Sequence, residues 1–175
     1  MRRSIVVPCY NEAEIIPEKI RNTLSLDYPA DKLEVIFITD GSNDGSDKVA
    51  AAIPGVKVMH QHQRRGKSAA ENRSVAEAKG EIIIFSDANT ELPKTAIRHL
   101  VKHYIDPMVG AVSGEKRVKQ DAAENAAGAG EGFYWKYESQ LKRWDSELLT
   151  IVGAAGELFS FRKHLFRDLE EDTIL

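Results

Sequence analysis

The chain has 175 residues, 42% apolar and 29% charged, with a formal net charge of −3; this suits one soluble globular domain and excludes both a disordered chain and a nucleic-acid binder that relies on bulk positive charge. A single cysteine, Cys9, excludes an internal disulfide framework and fits a reducing compartment. No apolar run approaches the roughly 20 residues of a membrane span, and Pro8 with Asn11-Glu12 ends the first apolar run too early for a signal peptide.

Short runs rich in β-branched residues at 4–9, 33–39, 56–60 and 81–86 predict buried strands. Amphipathic stretches at 14–26, 47–53, 67–79 and 94–104 separate or follow them. Pro17 falls in or near the first turn of its helix, where its missing N–H costs little, and Gly80 reads as the stop of the third helix. Strands alternating with helices predict βαβ crossovers and a mainly parallel sheet with helices on both faces, which a further strand at 109–114 extends. An Ala/Gly-rich patch at 122–132 lies within a stretch, 124–149, that carries no strand signal and reads as long helix. A strand-like run at 157–162 follows Gly153-Ala154-Ala155-Gly156.

Ligands of open α/β sheets sit outside the carboxyl ends of the strands. The four successive strand ends carry Pro8-Cys9-Tyr10-Asn11-Glu12, Asp40-Gly41-Ser42-Asn43-Asp44-Gly45-Ser46, Arg64-Arg65-Gly66-Lys67 and Asp87-Ala88-Asn89. One such end is ordinary turn chemistry. Four on one sheet edge describe a site for a phosphorylated ligand: an aromatic to face a base, carboxylates for hydroxyls or a base N–H, and cations with a metal for a diphosphate.

In order and spacing these segments, with Asn72 downstream of Gly66-Lys67, resemble the family-2 inverting glycosyltransferases over nearly the whole chain. The segments 109–114 and 153–162 are similar to the membrane-bound polysaccharide-synthase branch. The resemblance implies an α/β fold of the nucleotide-diphosphosugar transferase type, called GT-A. It implies a nucleotide-sugar-binding half at 1–115 and an acceptor-side half at 116–175, in a single domain overall. The implied donor site comprises Pro8, Tyr10, Asn11, Glu12, Asp40, Ser42, Lys67, Asn72 and Asp87, with Tyr10, Glu12 and Asp40 on the nucleoside. Asp87 and Asn89 fill the Asp-x-Asp position that meets a divalent metal, Mn²⁺ or Mg²⁺, and the diphosphate. Asn89 stands where the family usually has a second aspartate; its carbonyl oxygen remains a donor for a hard cation, and weaker metal binding is expected.

Several lookalikes fail on spacing. The 40–45 segment imitates an EF-hand loop, but Ala51 stands where the bidentate Glu is needed and a strand precedes it. Gly66-Lys67-Ser68 ends like a P-loop, with Gln61 at the required earlier glycine. His60-x-His62 and His99-x-x-x-His103 lack a third ligand nearby in sequence and read as structural or solvated pairs. Gln140-x-x-Arg143-Trp144 matches a processive-polymerase signature but precedes the acidic cluster it should follow, so Trp144 and Tyr137 read as packing residues. The aromatics of 131–137 fit an acceptor-side wall or a helix packed on the sheet. Cys9, at the end of a buried strand, is assigned no chemistry.

Transfer with inversion needs a base for the acceptor hydroxyl, a holder for the diphosphate leaving group, and an in-line arrangement of the two substrates. Asp172, in Glu170-Glu171-Asp172, is the available catalytic carboxylate. In similar polysaccharide synthases the acid pair follows a Thr-Ile-x step, which Thr173-Ile174-Leu175 resembles, so a base just past Leu175 and a catalytic domain cut short at its C-terminus are the competing expectation. The function expected is transfer of a hexosyl or N-acetylhexosaminyl group from a UDP-sugar to a carbohydrate or lipid-linked acceptor. It would work at the cytoplasmic face of a membrane, through membrane segments absent from this chain and without nucleic acid. A nucleotide-binding module without transfer is the alternative. A nucleotidyltransferase is disfavoured because no Gly-rich loop follows the first strand.

Overall fold

The β-branched runs of the first half form four parallel strands, β1 (Arg3–Cys9), β2 (Leu33–Asp40), β3 (Lys57–Gln61) and β4 (Ile82–Ser86). They are seen in a computed structural model that describes residues 2–115, 140 and 157–170. Parallel neighbours need a crossover. Here α1 (Ile16–Leu24), α2 (Ser46–Ala51) and α3 (Lys67–Glu77) supply it; α4 (Ala96–Val101) follows β4 and tightens into a 3₁₀ turn, Lys102–Ile105.

Successive strand residues point to opposite faces, so a sheet covered on both sides is apolar throughout. Ile5, Val7, Phe37, Ile82 and Ile84 pack with Ile16 and Ile20 of α1 and Ile97 of α4. Val6, Ile36, Ile38, Ile83 and Phe85 face the other way and pack with Ala70 and Val75 of α3.

The sheet has six strands in the order β3-β2-β1-β4-β6-β5, completed by β5 (Ala111–Ser113) and β6 (Leu158–Arg162). The strand expected at 109–114 does join the sheet, but not beside β4. Between them lies β6, antiparallel to both. Side chains explain the insertion: Phe161 of β6 meets Phe85 of β4 with ring centroids 5.6 Å apart. On the other side, Ser160 Oγ donates to Val112 O at 3.1 Å and Arg162 Nε donates to Val109 O at 2.8 Å.

The third helix also ends earlier than Gly80 implied, because Ala78 is already extended. Gly80 serves a close approach instead: a Cβ there would lie 2.4 Å from Ser4 N, and its own N–H donates to Ser4 Oγ at 2.9 Å. The long helix expected over 124–149, with Tyr137 and Trp144, lies outside the described residues apart from helical Gln140. Among the described residues no helix is long and apolar enough to cross a membrane.

Candidate functional site

The first two strand ends are stitched into one rigid edge. Asn11 takes a left-handed backbone (φ 52°), which asparagine tolerates better than most residues. Its N–H donates to Ser42 Oγ at 3.2 Å and its Oδ1 accepts from Asn43 N at 3.0 Å. Glu12 N donates to Ser46 Oγ at 3.0 Å and Ala13 N to Asp44 Oδ2 at 2.9 Å. Asn11 and Ser42, expected to touch the ligand, therefore join β1's loop to β2's.

The third strand end is fixed by the second. Asp40, 5% exposed, accepts from Arg65 N and Gly66 N, both at 2.7 Å, and pairs with Arg73 Nη2 at 2.9 Å. Gly41 (φ 70°) lets Arg64 pass so closely that a Cβ would sit 2.6 Å from Arg64 Cβ. Asp40 thus shapes the basic loop as well as facing the cavity. Arg73 is a residue the sequence reading missed, and its charge at the strand-facing side of α3 was the available signal.

A cavity of about 290 Å³ opens where these ends meet. Pro8, Tyr10, Glu12, Asp40, Lys67, Asp87 and Asn89 line it, with Cys9, Arg64, Gly66, Ala70 and Ala88. Residues from four strand ends thus share one concave surface. Tyr10 is 42% exposed, and the Arg64 guanidinium lies 3.9 Å from its ring centroid. That cation–π contact covers one face of the ring. The first turn of α3 borders the cavity, so the positive end of its helix dipole faces into it.

Charge in the cavity is paired, and it is half-exposed except at Asp40. Lys67 Nζ bonds Asp87 Oδ1 at 3.0 Å. Burial raises the Glu12 carboxyl above its ordinary range, and Asp87 and Asp44 add to the effect. Burial likewise pushes the Cys9 thiol far up, followed by Glu12, leaving it protonated and inert.

Not every expected residue joins the cavity. Asn72 uses both ends of its amide on Leu169, donating to its carbonyl at 2.8 Å and accepting from its N–H at 2.9 Å. It anchors the segment after β6. Asp172 lies outside the described residues. His60 and His62 contact each other, Nε2 to Nδ1 at 3.2 Å, and His60 Nδ1 bonds Thr39 Oγ1 at 2.8 Å.

Glu71 was also missed. One turn along α3 from Lys67 and 5% exposed, it lines a second, largely apolar cavity of about 650 Å³ with Phe85, Phe159, Phe161 and Phe166. Burial pushes its carboxyl up to about 7, against the pull of Lys67 and with a further push from Asp87.

The donor set at the fourth strand end suits a small hard cation. Asp87 offers a carboxylate and Asn89 an amide oxygen on one short turn, and Asp87 already holds an ammonium. Among the described residues no group of three or more His, Cys, Asp or Glu is placed to hold an ion. Mg²⁺ and Mn²⁺ are commonly held this way, by one or two protein oxygens plus substrate phosphates and water. The residues fit a metal that arrives with a diphosphate.

The family model described as "Glycosyl transferase family 2" matches residues 4–170. The chain is 31% identical over 164 residues to the beta-monoglucosyldiacylglycerol synthase of Trichormus variabilis, covering 89% of this chain and 33% of that protein. It is 32% identical over 127 residues to the poly-beta-1,6-N-acetyl-D-glucosamine synthase of Staphylococcus epidermidis, covering 69% and 30%. Among solved structures it is similar to the mannosyltransferase PcManGT from Pyrobaculum calidifontis in complex with GDP-Man and Mn²⁺: TM-score 0.72, 30% identity, 94% of this chain and 45% of that one. The chain spans about a third of the length of these curated relatives.

Proposed function

Since the chain belongs to glycosyl transferase family 2, we propose that it binds a nucleoside-diphosphate sugar at the four strand ends and transfers the sugar, with inversion, to a carbohydrate or lipid-linked hydroxyl. The convergence of Tyr10, Asp40, Lys67 and Asp87 on one cavity carries this reading. Tyr10 offers its ring to the base once Arg64 swings aside. Asp40 holds the loop 64–66 and keeps one face toward the nucleoside. Asp87 and Asn89 would hold Mn²⁺ or Mg²⁺, which when bound neutralises charge on the departing diphosphate. Lys67, released from Asp87, turns its ammonium to the same phosphates. Asp172 is this chain's candidate to take the proton from the acceptor hydroxyl. Work at the cytoplasmic face of a membrane is part of the same proposal.

The nucleotide is proposed to be UDP, whereas the similar mannosyltransferase is complexed with GDP-Man. Calorimetry with UDP and GDP, each with Mn²⁺, with Mg²⁺ and with chelator, tests both points. UDP should bind more tightly than GDP, and more tightly with metal than without. Asp87→Ala should abolish the metal's contribution. Tighter GDP binding would correct the base, and affinity unaffected by chelator would remove the metal.

A further inference from the structure

We propose that Lys19 is a positioning residue for the donor site: its buried ammonium ties together the two ends of the Asp87-Ala88-Asn89 turn and holds Asp87 and Asn89 where a divalent cation and a diphosphate are received. This rests on the donor-site reading above.

Lys19 lies on the core face of α1, 3% exposed, in the buried stripe Ile16, Ile20 and Thr23. A buried ammonium is costly unless its protons are bonded. Its Nζ donates to Ser86 Oγ at 2.8 Å and to Thr90 O at 2.6 Å. Ser86 is the last residue of β4 and Thr90 follows Asn89, so the two bonds span the turn. Within the turn, Thr90 N donates to Asp87 O at 3.2 Å.

The turn is a thin partition. Ala88 and Asn89 line the donor cavity on one side and, on the other, a cavity of about 560 Å³ that Lys19 and Thr90 also line. Ala88, 6% exposed, belongs to the core cluster on the α1 side, so the turn takes its shape from that packing and from the bonds that grip its two ends. One turn further along α1, Asn22 makes a matching grip, donating to Leu92 O and accepting from Leu92 N, both at 2.9 Å. Helix α1 thus holds residues 86–92 from behind, and the grip nearest the metal position carries a full charge. Burial lowers the Lys19 ammonium to about 8, with Asp87 acting in the opposite direction, so near neutral pH the grip stays mostly charged.

The test measures UDP binding by calorimetry with saturating Mn²⁺ and with chelator, on the folded full chain and its variants. Lys19→Met keeps the apolar stem and removes the ammonium. Its Mn²⁺-linked UDP affinity should fall about 10- to 100-fold, the usual loss when a group supporting metal ligands is removed. Its metal-free UDP affinity should stay within about twofold, because Tyr10 and Asp40 lie outside the grip. Ser86→Ala, which removes one acceptor, should lose about two- to tenfold in the same metal-linked quantity. Wild-type coupling in Lys19→Met, or an equal loss with and without metal, would overturn the proposal. Should Lys19→Met not fold, unchanged coupling in Ser86→Ala overturns it and a selective loss supports it. A wild-type chain without metal-linked UDP binding would instead refute the donor-site reading.

Discussion

Replacing Glu71 by Gln should make the protein more stable, and increasingly so as the pH rises. In the fold the Glu71 carboxyl titrates near 7 against an ordinary value of 4.5, chiefly because it is buried. Between those values the folded chain binds more protons than the unfolded one, so its stability falls as pH rises through the window. Glu71 costs nothing below about pH 4 and its full penalty above about pH 7. At 1.36 kcal/mol per pH unit the penalty is about 3 kcal/mol at pH 8 and under about 1 kcal/mol at pH 5. Glutamine keeps the shape and does not titrate. The stability difference between Glu71→Gln and wild type should therefore grow by about 2.5 kcal/mol from pH 5 to pH 8, roughly 5–10 °C in midpoint for a chain of this size. Urea denaturation of both proteins at the two pH values measures it, and groups common to both cancel. A difference that stays constant within about 0.5 kcal/mol would refute the assignment of a buried, titrating Glu71.

Tyr10→Ala should cost about 1–3 kcal/mol of UDP affinity by calorimetry, the range for a lost base–aromatic stack, and Tyr10→Phe should cost almost none. Asp40→Ala should weaken UDP binding by about 1.5–3 kcal/mol and also lower the unfolding free energy, since Arg65 N, Gly66 N and Arg73 lose their acceptor together; a stable variant with unchanged UDP affinity would contradict both roles. Asn72→Ala should lower stability by about 1–3 kcal/mol in chemical denaturation through its lost clamp on Leu169, with UDP affinity unchanged.

The sheet was legible because its strands are buried on both faces and read as β-branched runs, and the shared cavity was legible because parallel strands end on one edge. What was not legible depends on partners far away in the chain. Nothing local tells that β6 enters between β4 and β5; Phe161 reaching Phe85 decides it. Asn72 carries a motif's identity, yet its amide is taken by Leu169. Asp40 reads as a strand-end carboxylate, while its bonds to Arg65, Gly66 and Arg73 form only once α3 is docked. Lys19 and Glu71 are charged residues on buried helix faces, where helical periodicity predicts apolar ones. The signal for Lys19 was its place in the stripe Ile16-Ile20-Thr23 on α1, where a solvated lysine does not belong. Glu71, between Ala70 and Ser74 on α3, carried the same signal more faintly.

The proposed metal–nucleotide complex would sit at the ends of β1, β2, β3 and β4, with the ion beside Asp87 and Asn89. Mn²⁺ broadens the amide resonances of residues near it, so titrating isotope-labelled chain with Mn²⁺ in the presence of UDP locates the ion directly. The resonances of Asp87, Ala88, Asn89, Lys67 and Tyr10 should broaden first, and only when UDP is present, because the protein alone offers too few oxygens. Broadening centred on His60 and His62 instead, or the same pattern without UDP, would rule out a metal–nucleotide site at these strand ends.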